Sequence, residues 1–397
     1  MLRINQIDIK NKRVLIRVDF NVPMQNGEIV NSFRLDASLK TIQYCIDNNA
    51  SVILMSHLGR PNGKNDNSLS LKPIVKYLKN KFKNSNIIFV DDCISESSFN
   101  VTSNLKSKDI VLLENLRFYD QELDNDDNFA SLLSKHSDVY INDAFGTSHR
   151  EHASNCIILK YFSSISKGIG FLFDKELKYL SNSDFSDSKF ISVILGGAKI
   201  SSKLSMIKYF LDKCNVILIG GAMAFTFIKA LGYNIGKSLY EENMLKEAKL
   251  ILEESKKTDV QILLPLDFVC SNEYAENSFK IRSFNCIKNN EMGLDIGPET
   301  IEIFKNKLSN SDMIIWNGPL GAFEMKSYAK GTKEIASFIS QDFKPKKSII
   351  GGGDTASAII NLNLENSFTH VSTGGGASLE LLSGQKLKFI NSWESYE

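Results

Sequence analysis

Short apolar, β-branched runs recur along the chain, each passing straight into polar residues, with stretches of helical period between them. In the first half they fall at 13–18, 51–55, 86–90, 109–113 and 138–141. The polar loops that follow are 19–23, 56–61, 91–92, 114–119 and 142–150, and helical periodicity is clear at 33–48 and 71–82. The second half repeats the scheme at 190–195, 216–219, 260–264, 313–316, 348–350 and 370–372, now with glycine at most strand ends. Helical patterns at 199–211 and 355–361 follow two of these turns. Near-continuous apolar strands alternating with helices predict parallel sheets covered on both faces. At 397 residues two domains are expected, each a doubly wound α/β fold with ligands at the carboxyl ends of its strands. The periodic stretch 171–180 predicts a joining helix, and the Ser- and Asp-rich 181–189 marks the junction. The expected organisation is 1–169, a hinge helix at 170–182, a second domain at 183–382, and a C-terminal segment at 383–397.

Composition narrows the function. A net charge of +1 lacks the basic excess of a nucleic-acid or membrane-surface protein. The longest apolar stretch, 216–228, is too short to span a bilayer and is broken by Gly220 and Gly221. Cysteines 45, 93, 156, 214, 270 and 286 form no CxxC pair, and the N-terminus has no apolar signal region. Scattered reduced thiols in a cytoplasmic protein are therefore expected.

Two residue types are unevenly placed. Arginines occur at 3, 13, 17, 34, 60, 117, 150 and 282, all but the last within the first 150 residues. Of 24 glycines, only Gly27, Gly59, Gly63 and Gly146 precede residue 160. Arginine supplies a planar fork for phosphate or carboxylate, and glycine lets backbone approach a ligand. Three of the four main strand-end loops in the first half carry an arginine: Arg60, Arg117 and Arg150. Parallel strands bring those loops to one sheet edge. A single such arginine is usually a surface ion pair; three at successive strand ends predict an anion site, with Arg34 able to join them. Asp19 and Asn21 sit among these cations and suit a substrate hydroxyl. The implied ligand is a small hydroxy-acid phosphate.

The glycine turns of the second half suit a nucleotide. Lys199 and Lys203, four apart on one face of a helix expected to start after the Gly196-Gly197 turn, are placed to neutralise phosphates. Amides of Gly351-Gly352-Gly353 can cradle phosphate oxygens while Asp354 offers a hard ligand to Mg²⁺. Gly374-Gly375-Gly376 is a third such turn. The run from Gly232 to Ser238 has one residue too few for a Walker A loop and follows a helix, and Gly168-Ile169-Gly170 lacks the third glycine of the dinucleotide fingerprint. Protein-kinase triplets are missing.

Taken in order, RVDFNVP (17–23), SHLGRP (56–61), ENLRFY (114–119), DAFGTSHREHAS (143–154), GFLFDKELKYL (170–180), LGGAK (195–199), GGAMAFTF (220–227), WNGPLGAFE (316–324), GGGDTA (351–356) and STGGGASLELL (372–382) closely resemble the phosphoglycerate kinases along nearly the whole chain. The resemblance implies two Rossmann-like domains joined by a hinge helix. It also implies reversible phosphoryl transfer between 1,3-bisphosphoglycerate and Mg-ADP, giving 3-phosphoglycerate and Mg-ATP, by a cytoplasmic monomer. By matching motifs, Asp19, Phe20, Asn21, Arg34, His57, Leu58, Gly59, Arg60, Arg117 and Arg150 would bind phosphoglycerate. Lys199, Lys203, Gly293, Asn317, Glu324, Gly352, Gly353, Asp354 and Thr355 would bind the nucleotide, with Glu324 on the ribose and Asp354 on magnesium. The resemblance further implies that the C-terminal segment returns to the first domain. Ser202 stands where the family commonly has aspartate, and Ser148 where alanine is common.

No general base is required, because the accepting group is already an anion. Positioning and charge stabilisation then supply the catalysis, with Arg34 and Lys199 expected on the transferring group and domain closure expected to join the two substrates. A dehydrogenase would need the missing GxGxxG turn and its ribose-binding acid. A catalytically silent phospho-metabolite-binding protein is the remaining alternative, and the presence of Lys199, Arg34 and Asp354 weighs against it.

Overall fold

In the computed structural model, residues 1–181, 188–276 and 278–397 are described. The chain divides into two compact units, one of Met1–Lys178 with Lys386–Glu397, the other of Tyr179–Gln385.

The first unit is built on strands β1 (Arg13–Val18), β4 (Ser51–Met55), β5 (Ile87–Val90), β6 (Ile110–Leu113), β7 (Val139–Asp143) and β8 (Lys167–Ile169). They form a parallel sheet in the order β5-β6-β4-β1-β7-β8. A two-stranded hairpin, β2 (Met24–Gln25) and β3 (Glu28–Ile29), projects after β1. Helices α1 (Phe33–Asp47), α2 (Ile74–Lys81), α3 (Glu96–Ser103), α4 (Asp120–Leu123) and α5 (Asp127–Ser134) connect the strands. Strands β1, β4 and β6 are buried almost throughout, which is why they read as unbroken apolar runs. Helix α6 (Phe171–Leu180) follows, and the division between the units falls inside it. Residues 182–187, where the expected hinge segment ends and the second domain begins, lie outside the described residues.

In the second unit, strands β9 (Ile191–Leu195), β10 (Val216–Ile219), β11 (Gln261–Leu263), β15 (Met313–Asn317), β16 (Lys347–Gly351) and β17 (His370–Val371) form another parallel sheet in the order β11-β10-β9-β15-β16-β17. A separate antiparallel sheet, β12 (Asp267–Ser271), β13 (Lys280–Ser283) and β14 (Met292–Ile296), was not foreseen from the periodicity. The helices are α7 (Leu204–Phe210), α8 (Met223–Ala230), α9 (Leu245–Ser255), α10 (Pro298–Leu308), α11 (Lys330–Ser337), α12 (Gly353–Asn361) and α13 (Gly376–Leu382). The order reverses between β9 and β15, the switch point at which α/β sheets take ligands. There Gly196 and Gly318 cross closely: a Cβ on Gly196 would stand 2.6 Å from the Gly318 carbonyl oxygen.

Helix α14 (Lys388–Ser395) belongs to the first unit. Its Phe389 and Trp393 are buried, and Phe389 packs on Phe173 with ring centroids 5.0 Å apart.

Candidate active site

In the first unit, four strand ends supply one cluster. Asp19, just past β1 and almost buried, pairs with Arg34 of α1 at 3.4 Å. Arg34 also donates to the Asn21 carbonyl at 3.1 Å. The Asn21 side chain accepts the Gly59 amide at 3.0 Å, and Arg117 donates to the Gly59 carbonyl at 2.7 Å. Asn115 ties the β6 end to the loop after β4 by accepting from the Leu58 amide and donating to its carbonyl. The cations are close enough to repel. Burial, then Arg150 and Arg17, lower the Arg117 pKa to about 10, and burial, then Arg60, lower that of Arg150. Arg117 is buried, yet its Nε and Nη2 have no hydrogen-bond partner. Leaving buried guanidinium donors unmatched is costly, so this cluster is arranged for an anion.

Beneath it lies a sealed polar network. Arg17 is fully buried and donates to Ser154 Oγ at 2.9 Å, with Glu122, also fully buried, 3.9 Å away. Glu122 accepts the Ser154 amide and hydroxyl. Arg17 Nη2 lies 3.2 Å from His57 Nδ1. A guanidinium can only donate, so His57 accepts at Nδ1 and carries its hydrogen on Nε2. Burial and the surrounding arginines hold the His57 pKa far below the usual histidine range. His149 and His152 are likewise held down, to about 4 and about 3, chiefly by burial. The histidines of this site are neutral donors and acceptors, and its positive charge is guanidinium.

The second unit holds a cavity of about 200 Å³ lined by Lys203, Asn317, Gly318, Gly352 to Thr355, Gly375, Gly376 and Leu379. Gly352, with φ of +86°, turns β16 into α12, while Gly375 does the same before α13. The first amides of both helices therefore lie beside this cavity. Lys203 donates to Asn317 Oδ1, and Asn317 Nδ2 is buried without a partner. Thr355 Oγ1 accepts the Gly318 amide at 2.6 Å, pinning the two turns together. Burial lowers the Lys203 pKa to about 8, opposed by the Asp354 carboxylate.

The sequence-predicted residues are distributed unevenly. Phe20 and Leu58 have core side chains, so only their backbones can serve a ligand. Arg60 is exposed. Lys203, Asn317 and Gly352–Thr355 share the cavity, whereas Lys199, Gly293 and Glu324 do not line it. Lys199 and Glu324 are exposed, and Gly293 is buried against the Phe225 ring. The expectation that Lys199 and Lys203 share a helix face is corrected: α7 starts only at Leu204. Ser201 binds Glu241 through its amide and hydroxyl, and Ser202 Oγ bonds the Lys199 carbonyl. Such side-chain bonds compete with the helix ladder. Arg17, Glu122, Ser154 and Asn115 went unassigned in the sequence. A charge inside the apolar run of β1 was the available signal for Arg17; nothing marked Glu122.

A two-unit α/β protein with a guanidinium cluster at the strand ends of one unit and glycine turns opening helices at a cavity in the other has the parts of a phosphoryl-transfer enzyme. The family model described as "Phosphoglycerate kinase" matches residues 4–385. The phosphoglycerate kinase of Thermosipho africanus is 46% identical over 98% of this chain and 97% of its own, and that of Finegoldia magna is 46% identical over 98% of each. Among solved structures, phosphoglycerate kinase from Coxiella burnetii aligns with a TM-score of 0.85 at 33% identity, covering 99% of both chains. That from Pyrococcus horikoshii gives 0.86 at 28% identity, covering 99% of this chain and 98% of the other. The chain belongs to the phosphoglycerate kinase family. It is a phosphotransferase with a carboxyl group as acceptor, acting in glycolysis.

Proposed function

We propose that the first unit binds 3-phosphoglycerate or 1,3-bisphosphoglycerate through Asp19, Asn21, Arg34, His57, Arg60, Arg117 and Arg150, together with the backbone at Phe20, Leu58 and Gly59. The second unit binds the adenine nucleotide through Lys203, Asn317 and the turn Gly352–Thr355, with Lys199, Gly293 and Glu324 completing its surroundings. The observation that carries this reading is the buried Arg117 guanidinium, whose Nε and Nη2 await an acceptor. Transfer needs no proton acceptor, since carboxylate and ADP phosphate are both anions. Arg34 and Lys199 neutralise the transferring group, and helix-start amides near Gly353 and Gly375 supplement them.

Magnesium fits this set in a particular way. Among the described residues no group of three or more potential ligands assembles, and Asp354 is the lone carboxylate on the cavity wall. Mg²⁺ is commonly held by one or two carboxylates plus substrate phosphates and water, so Asp354 would share the ion with the nucleotide. When bound, the ion neutralises charge on the phosphates. The near-zero net charge supports action without a nucleic-acid or membrane-surface partner; among the described residues no helix is long and apolar enough to cross a membrane. Family resemblance alone supports a cytoplasmic monomer, with 170–182 as the hinge between 1–169 and 183–382.

The test is a coupled assay of ADP release from 3-phosphoglycerate and Mg-ATP. Turnover is expected; its failure would leave the silent-binder reading standing. Arg34→Ala should mainly lower kcat, while Arg150→Ala should mainly raise KM for 3-phosphoglycerate. Swapped profiles would mean that the two roles are misassigned.

A further inference from the structure

Lys167 opens β8 as the first residue of its edge strand and is 1% exposed. A buried ammonium is costly unless its donors are matched. Here Nζ donates to the Leu159 carbonyl at 3.1 Å and to the Tyr396 carbonyl at 2.6 Å. Tyr396 is the C-terminal cap of α14, where the helix presents its negative end. The Trp393 ring of that helix lies 5.5 Å from Nζ, centroid to atom, a favourable position for a cation. One buried charge thus engages the last turn of α14 by a carbonyl and a ring face.

The other end of α14 touches the loop that carries Arg150. The Phe389 amide donates to the Ser148 carbonyl at 2.9 Å, and Lys388 pairs with Glu151 at 3.4 Å. Midway, Ser392 hydrogen-bonds Cys156, whose thiol lies 3.5 Å from the Arg150 carbonyl. Helix α14 therefore backs the segment 148–156 at three points. We infer that Lys167 is a positioning residue for phosphoglycerate binding: by clamping the C-terminus of α14, it holds the Ser148–Arg150 backbone in its binding geometry. The inference rests on the reading of Arg150 as a substrate ligand.

Lys167→Met keeps most of the stem and removes the donors. It should raise KM for 3-phosphoglycerate three- to tenfold while leaving kcat and KM for Mg-ATP within twofold. Lys167→Arg, which restores a donor, should recover most of the loss. A chain ending at Ser395 removes the Tyr396 acceptor and should reproduce the shift, deciding the matter should Lys167→Met fail to fold. Hydrogen exchange should quicken at α14 and at residues 148–150 in both variants, but not in β1 or β4. In an Arg150→Ala background the Lys167 change should add nothing to KM. An unchanged KM for 3-phosphoglycerate in both variants, with Arg150→Ala raising it, would overturn the clamp and leave the Arg150 reading intact. If Arg150→Ala itself left KM unchanged, that reading would fail. The clamp would then stand or fall on whether exchange at 148–150 quickens.

Discussion

Lys203, proposed to meet the nucleotide, shows what a single residue would contribute to recognition in this chain. Burial lowers its pKa to about 8, so the free protein loses this charge just above neutral pH. Phosphates beside the ammonium would favour the charged form. Below pH 8 the lysine is already protonated and nucleotide affinity should be flat. Above it, binding must take up a proton, so Kd for Mg-ATP should rise about tenfold per pH unit. Calorimetry between pH 7 and 9.5 should show this slope, with proton uptake visible as a dependence on buffer ionisation enthalpy. Lys203→Met should bind more weakly at pH 7 and lose the slope. A wild-type Kd independent of pH across this range would place the lysine away from the phosphates.

At the level of elements, the central strands of the two parallel sheets were legible because they are buried on both faces, and the apolar run therefore marks both the strand and the polar loop after it. Arg60, Arg117 and Arg150 could be placed at one edge for that reason. The start of α7 was not legible, because Ser201 bonds Glu241, a contact that depends on distant chain, and Ser202 turns its hydroxyl back to the Lys199 carbonyl. Glu122 was hidden because its partners Arg17 and Ser154 are 105 and 32 residues away, partnerships visible only once the strands are aligned. The start of α6 carries a testable consequence of such burial. Asp143, at the end of β7, accepts the Phe173 amide at 3.1 Å and is fully buried, which pushes its pKa up to about 7 against the pull of Thr41 and the helix amides. A carboxyl raised in the folded state is unpenalised below its unfolded value near 4, and it costs stability progressively as pH rises to 7. Asp143→Asn cannot ionise. Whatever constant offset it introduces, its Tm relative to wild type should climb between pH 4 and 7 and level off above. A difference independent of pH would mean that the carboxyl ionises freely in place.

For the whole molecule, the two substrates are proposed to bind units that each carry their own parallel sheet, and a ligand slows exchange at the amides that open together with its site. A ligand at a hundred times its Kd adds about 2.7 kcal/mol to the state that binds it, enough to slow exchange about a hundredfold for amides that open with that state. With 3-phosphoglycerate alone, hydrogen exchange should slow in β1, β4, β6 and the loop around Arg150, leaving β9, β15 and α12 near their free rates. Mg-ATP alone should give the reverse pattern. The glycine turn at 351–354 is the most sensitive reporter, since its amides would bond phosphate oxygens directly. Chemistry then demands both ligands together, because the donor and acceptor oxygens must reach one phosphorus atom. If 3-phosphoglycerate alone protected the 351–354 turn as strongly as Mg-ATP does, the division of substrates between the units would be wrong, even in an enzyme that turned over normally.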